Sequence, residues 1–131
     1  MAGIWLVAEN IEQSRELLSL GKQLAADSGA ELAVFTWTRE WSDECLACGA
    51  NQVFQLPELP SDQSIEAYVP LIADRAREDN PQAILIIATL KGREMAARIA
   101  SRLNAGLISE CQSLKWDGER KALIGERLIY G

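Results

Sequence analysis

Apolar residues along this chain fall into two alternating rhythms. "IWLVA" (4–8), "ELAVFTW" (31–37), "QVFQL" (52–56) and "AILIIA" (83–88) are short, nearly continuous apolar runs. Between them apolar positions recur every three or four residues, the spacing of one helix face. Strand runs alternating with helical ones predict β-α-β units and a parallel sheet covered on both faces. The four runs read as the first four strands, and "AILIIA", the most continuous, reads as a central one.

The breaks between runs are marked by residues with a physical reason to be there. Asn10 precedes the first helical stretch with Gln13 three positions on, the spacing of a capping box. Leu17, Leu18, Gly21, Leu24 and Ala25 then keep helical spacing until Gly29 supplies a stop. A short helix over about 42–48 ends at Gly49. Pro57 and Pro60 break "LPELPSD", after which Ser61 or Asp62 is placed to cap a helix reaching about Asn80. Pro70 inside that stretch predicts a kink or a late start.

"ATLKGREMAARIASRLNAGL" (88–107) carries the next helix, "GLIS" (106–109) a fifth strand, and "SLKWDGERKALIGERLIY" a hairpin turning at Asp117-Gly118. The expected class is α/β: a doubly wound, mainly parallel sheet of core order 3-2-1-4-5, with a C-terminal antiparallel hairpin at an edge. Residues 1–131 are expected to form a single domain.

Composition narrows the function. A hydrophobic content of 48% supports a core of the chain's own. Nineteen acids against 13 bases give a net charge of -6, which argues against nucleic acid or an anionic membrane as partner. No apolar segment approaches the roughly 20 residues of a membrane span, and "MAGIWLVAEN" lacks the basic start of a secretory signal. A cytoplasmic protein without membrane insertion is the expectation. The complete lack of histidine removes the Ser-His-Asp triad, the commonest general base and most zinc sites. Three cysteines do not make a disulfide framework.

In open α/β sheets ligands settle at the carboxyl ends of the strands, where the strand order reverses. For order 3-2-1-4-5 that crevice lies between the first and fourth strands. Glu9 and Asn10 bound it on one side, and Thr89, Lys91, Gly92 and Arg93 on the other. Gly92 permits close backbone approach, the helix start offers N–H groups, and the two cations attract an anion. Cations at a helix N-terminus nevertheless oppose its dipole. Three readings stay open for this turn: a solvated corner, a contact with another domain or subunit, and a phosphate site. Neither a GxGxxG nor a Walker A pattern accompanies it.

Arg98 and Arg102 read as the solvated face of the same helix, with Glu94 spaced to pair with Arg98. The CxxC pair, Cys45 and Cys48, lies near a helix end, whereas a redox pair draws its low thiol pKa from a helix start. With no second ligand pair for a metal, these thiols read as small buried hydrophobes. The four tryptophans are spread over different elements without basic interleaving and read as packing. No catalytic constellation and no metal site is expected.

The run "IATLKGREMAARIASRLNAGLISEC", followed by the hairpin and "RLIYG", resembles the N-terminal domain of electron transfer flavoprotein α subunits, closest to the FixB type. Thr89, Gly92, Arg93, Glu94, Ala97, Arg98, Ile99, Ala100, Leu103, Gly106 and Leu107 fall on that family's "T-x-x-G-R-(D/E)" turn, "A-x-R-(L/I)-A-x-x-L" helix and "GL" strand. "IWLVAEN" and "CGANQVFQL" extend the likeness toward the N-terminus.

The resemblance implies an adenine-nucleotide-hydrolase-like three-layer sandwich that packs with a β subunit in a heterodimer. That heterodimer carries electrons on FAD from dehydrogenases to a quinone reductase or another acceptor, without performing substrate chemistry itself. It also implies that FAD is held by a separate C-terminal domain whose motifs have no counterpart in these residues, so this chain alone is not expected to hold it. The implied contribution is a scaffold whose sheet edge and Lys91–Arg93 turn meet the β subunit or the flavin domain. Two other readings remain: a free-standing, universal-stress-protein-like adenine-nucleotide module using the crevice beside Gly92, and a thiol redox enzyme using Cys45 or Cys48.

Overall fold

The computed structural model describes residues 3–59, 63, 65–103, 111–117 and 122–127. Four strands, β1 (Gly3–Val7), β2 (Glu31–Thr36), β3 (Gln52–Gln55) and β4 (Ala83–Ile86), form one parallel sheet in the order β3-β2-β1-β4. Trp5 stands between Ala33 and Ile84, and Leu6 between Val34 and Leu85, so β1 is interior to the sheet. This is the expected order for the first four strands. The expected fifth, "GLIS", lies outside the described residues.

Successive strand side chains point to opposite faces, and here both faces are apolar. Ile4, Leu6, Leu32 and Val34 enter one core with Leu18 and Leu24 of α1 (Ile11–Ser28) and Trp41 and Cys45 of α2 (Arg39–Ala47). Trp5, Val7, Ala33 and Phe35 enter the other with Ile72 and Ala76 of α3 (Val69–Asp79) and Met95 and Ile99 of α4 (Leu90–Leu103). The result is a helix–sheet–helix sandwich. Each fully buried aliphatic side chain contributes roughly 1.5–3 kcal/mol, against about 1–2 kcal/mol of backbone entropy per ordered residue. Strands buried on both faces therefore offset much of the cost of their own ordering.

Helix ends follow local chemistry. The Asn10 side chain accepts from the Gln13 N–H at 2.9 Å, the Gln13 side chain accepts from the Glu9 N–H at 2.9 Å, and Gly29 ends α1 at φ 73°. The capping box and the glycine stop are both as the spacing predicts. α2 begins three residues earlier than expected, at Arg39, because the Thr38 side chain accepts from the Trp41 N–H. Trp41 then anchors the helix, its indole donating to the buried Ser14 hydroxyl at 2.8 Å. Pro70 lies in the first turn of α3, behind a 3-10 turn over Ile65–Tyr68, so the late start is realised. Ser61 and Asp62 lie outside the described residues; the residue heading α3 is Tyr68, which makes no side-chain cap.

β5 (Cys111–Asp117) and β6 (Ala122–Arg127) pair antiparallel, with an irregularity between Cys111 and Ser113. The expected turn at Gly118 lies outside the described residues. Among the described residues the hairpin is a two-stranded sheet of its own, with β5 beside α1. Among the described residues it pairs with neither edge of the parallel sheet. No described helix is long and apolar enough to cross a membrane.

Candidate functional site: the turn between β4 and α4

The Ile87 N–H donates to the Val7 carbonyl at 3.0 Å, carrying the β1–β4 pairing one residue past Ile86. The chain then reverses through Ala88 and Thr89 into α4. Thr89 is the cap: its hydroxyl accepts from the Gly92 N–H at 3.0 Å and its carbonyl from the Arg93 N–H at 2.9 Å. Gly92 is buried, and a Cβ at that position would run into the carbonyl oxygen of Ile87. The close approach that this glycine permits is thus to its own strand. Met95 and Ile99, both buried, fix the helix against the sheet.

The side chains beyond the cap face outward. Lys91 and Arg93 are exposed, and Leu90 between the strand end and the cations is 75% exposed, the highest of the exposed large hydrophobics among the described residues. The topology sets Glu9 and Asn10 at the carboxyl end of β1, adjacent to this turn at the end of β4. The crevice residues expected from the sequence are therefore brought to neighbouring strand ends. Their polar groups are nonetheless used by the fold: Asn10 and the Glu9 N–H in the α1 cap, and Thr89 and the Gly92 N–H in the α4 cap. A flavin pyrophosphate needs free N–H groups and room beside a glycine. The Gly92 and Arg93 N–H groups and the space beside Gly92 are taken up internally.

Electrostatics around α4 differ from the sequence expectation at one point. Arg98 lies 3.6 Å from Glu66 of the 3-10 turn, and this contact stands where a Glu94–Arg98 pair was expected. Hydrogen bonding to the Glu66 carboxyl and its like charge raise the Glu94 carboxyl above its ordinary value, with Arg98 and Lys91 pulling the other way. Nothing in the linear sequence shows that a 3-10 turn will deliver Glu66 to this helix. Arg102, as expected, is exposed, and its carbonyl accepts from Arg77 at 2.9 Å.

The cysteine pair behaves as packing. Cys45 is buried in α2, and burial pushes its thiol up. Cys48 lies at the helix end, its thiol directed at the Glu44 carboxylate at 3.7 Å. Arg15 holds that carboxylate below its ordinary value through a 2.7 Å pair. Burial disfavours a Cys45 thiolate, the reverse of what a redox cysteine requires. Among the described residues no group of three acidic or sulfur ligands could hold a metal ion.

The family model described as the electron transfer flavoprotein domain matches residues 6–131. The chain belongs to the electron transfer flavoprotein domain family. Electron transfer flavoprotein subunit alpha of Clostridium acetobutylicum is 35% identical over 98% of this chain and 41% of its own length. Protein FixB of Clostridium saccharobutylicum is 30% identical over the same shares, 98% and 41%. The acryloyl-CoA reductase electron transfer subunit beta of Anaerotignum propionicum is 33% identical over 87% of this chain and 34% of its own length. The chain thus spans 41% of the length of the α-subunit and FixB relatives. The resemblance to α subunits and FixB noted in the sequence is borne out, and neither the nucleotide-module nor the thiol-enzyme reading is favoured.

Proposed function

We propose that this chain is the scaffold and docking domain of an electron transfer flavoprotein α subunit. Residues 1–131 form one folding unit in this reading, acting in the cytoplasm. It carries no substrate chemistry: electrons travel on an FAD held by the remainder of the α subunit together with a β subunit. The donor is a dehydrogenase and the acceptor a quinone reductase or another redox protein.

The docking reading is carried by Leu90. A leucine that is 75% exposed at the head of a helix, flanked by exposed Lys91 and Arg93, is an apolar anchor with a cationic rim. Interfaces concentrate their energy in a few such anchors, and a rim of charge sets orientation and encounter rate. Partner contact also answers why cations stand where the helix dipole disfavours them. Phosphate binding is the weaker reading, since the cap residues already take up the Gly92 and Arg93 N–H groups.

Co-expression of this chain with a β subunit and the flavin-bearing part of an α subunit tests the proposal. The expected product is a yellow complex that retains the chain through gel filtration, while the chain purified alone is colourless. A chain that stays out of the complex, or that carries stoichiometric flavin alone, would overturn it.

A further inference from the structure

At the opposite end of the sheet, the amino ends of the strands border a cleft of about 390 Å³ lined by Gly3, Trp5, Glu31, Phe54, Glu78 and Asp79 among others. Trp5 is only 3% exposed, yet its indole N–H has no hydrogen-bond partner among the described residues, in contrast to the Trp41 indole paired with Ser14. The Trp5 Nε1 lies 3.9 Å from where a side chain on Gly3 would begin, which places the indole nitrogen on the side of Gly3, and both residues line the cleft. A buried donor without an acceptor is uncommon in folded proteins.

The cleft's other features ask for the opposite partner. Asp79 is paired with Arg75 at 2.9 Å, but Glu31 and Glu78 have no ion-pair partner among the described residues. Phe54 supplies an aromatic wall, and the guanidinium of Arg75 already lies 4.7 Å from that ring's centroid. A single ligand must then offer a carbonyl acceptor to the indole and a planar, multiply donating cation to two carboxylates beside an aromatic ring. Guanidinium meets the second requirement better than ammonium, because its fork bridges two acceptors and stacks on rings.

We propose that this cleft binds an arginine residue presented within a polypeptide: its main-chain carbonyl accepts from Trp5, and its guanidinium lies between Glu31 and Glu78. The peptide form is specified because the carboxylate of free arginine would be repelled by the same two glutamates. This site lies at the end of the sheet away from the β4–α4 turn, and its fate is independent of that turn's role.

Titrating the nitrogen-labelled chain with N-acetyl-arginine-N-methylamide, while following the indole N–H resonances, tests the assignment. The Trp5 signal is expected to move saturably and the Trp41 signal to stay. The neutral isostere N-acetyl-citrulline-N-methylamide should have no effect, and Glu31→Gln with Glu78→Gln should weaken binding roughly tenfold, the worth of two exposed charge pairs. Both glutamates are exposed, so the double variant keeps its fold. No saturable shift, an equal response to the citrulline probe, unchanged affinity in the double variant, or tighter binding of free arginine would each overturn the proposal.

Discussion

Gly92 packs against the carbonyl oxygen of Ile87, which shows how tightly the β4–α4 turn is wound: its N–H is capped by Thr89 while its α-carbon has no space for a side chain. Any Cβ here forces backbone against backbone, which a flexible neighbour cannot relieve. Gly92→Ala should therefore destabilise the chain by about 2–3 kcal/mol, the upper part of the range for overpacking, as read from urea unfolding. A change below about 0.5 kcal/mol, the level of a neutral surface substitution, would show that the turn is looser than described.

Glu94 and Glu66 make a second relationship that can be measured. The raised carboxyl of Glu94 means the folded state favours its protonated form. The sign follows: this contribution is fully present below the ordinary carboxylate range and is lost as pH rises through the raised Glu94 pKa. Glu94→Gln mimics the protonated group permanently. It should melt above the parent at pH 7, with the gap closing near pH 4. A variant that melts lower at pH 7 would mean that the attraction of Arg98 and Lys91 outweighs the repulsion of Glu66.

The cysteines give a prediction that separates packing from redox chemistry. Cys45 is both buried and held as a thiol, so alkylation of the native chain at pH 8 followed by peptide mapping should leave it unmodified. Cys48, half-buried at the helix end, should react more readily, and Cys45 should react only on unfolding. Rapid native modification of Cys45 would revive the thiol-enzyme reading.

Much of the architecture was legible because it rests on local rules. Asn10 with Gln13 and the glycine at 29 mark α1 by chemistry confined to a few neighbouring residues, and the apolar runs of β1 and β2 show that both faces are covered. The start of α2 was missed because "TREWSDE" looks like a polar flank, although Thr38 three residues before Trp41 is itself a cap signal. Other features depend on elements distant in sequence. The carbonyl that fills the space beside Gly92, the approach of Glu66 to Glu94, and the Trp5 N–H without a hydrogen-bond partner among the described residues appear only once strands and helices are assembled. At the candidate site, sequence set Glu9, Asn10 and Thr89–Arg93 at neighbouring strand ends, but could not show that polar groups of Glu9, Asn10, Thr89 and Gly92 cap the fold's own helices.

The most direct test of the central claim is the affinity of this chain for the assembled β subunit and flavin-bearing α remainder, compared between the parent, Leu90→Asp and Arg93→Glu. Removing the apolar anchor forfeits about 2 kcal/mol, so Leu90→Asp should weaken binding more than tenfold with its melting temperature retained, and reversing the charge at Arg93 should slow association. Equal affinity of all three proteins would contradict a docking role for the turn.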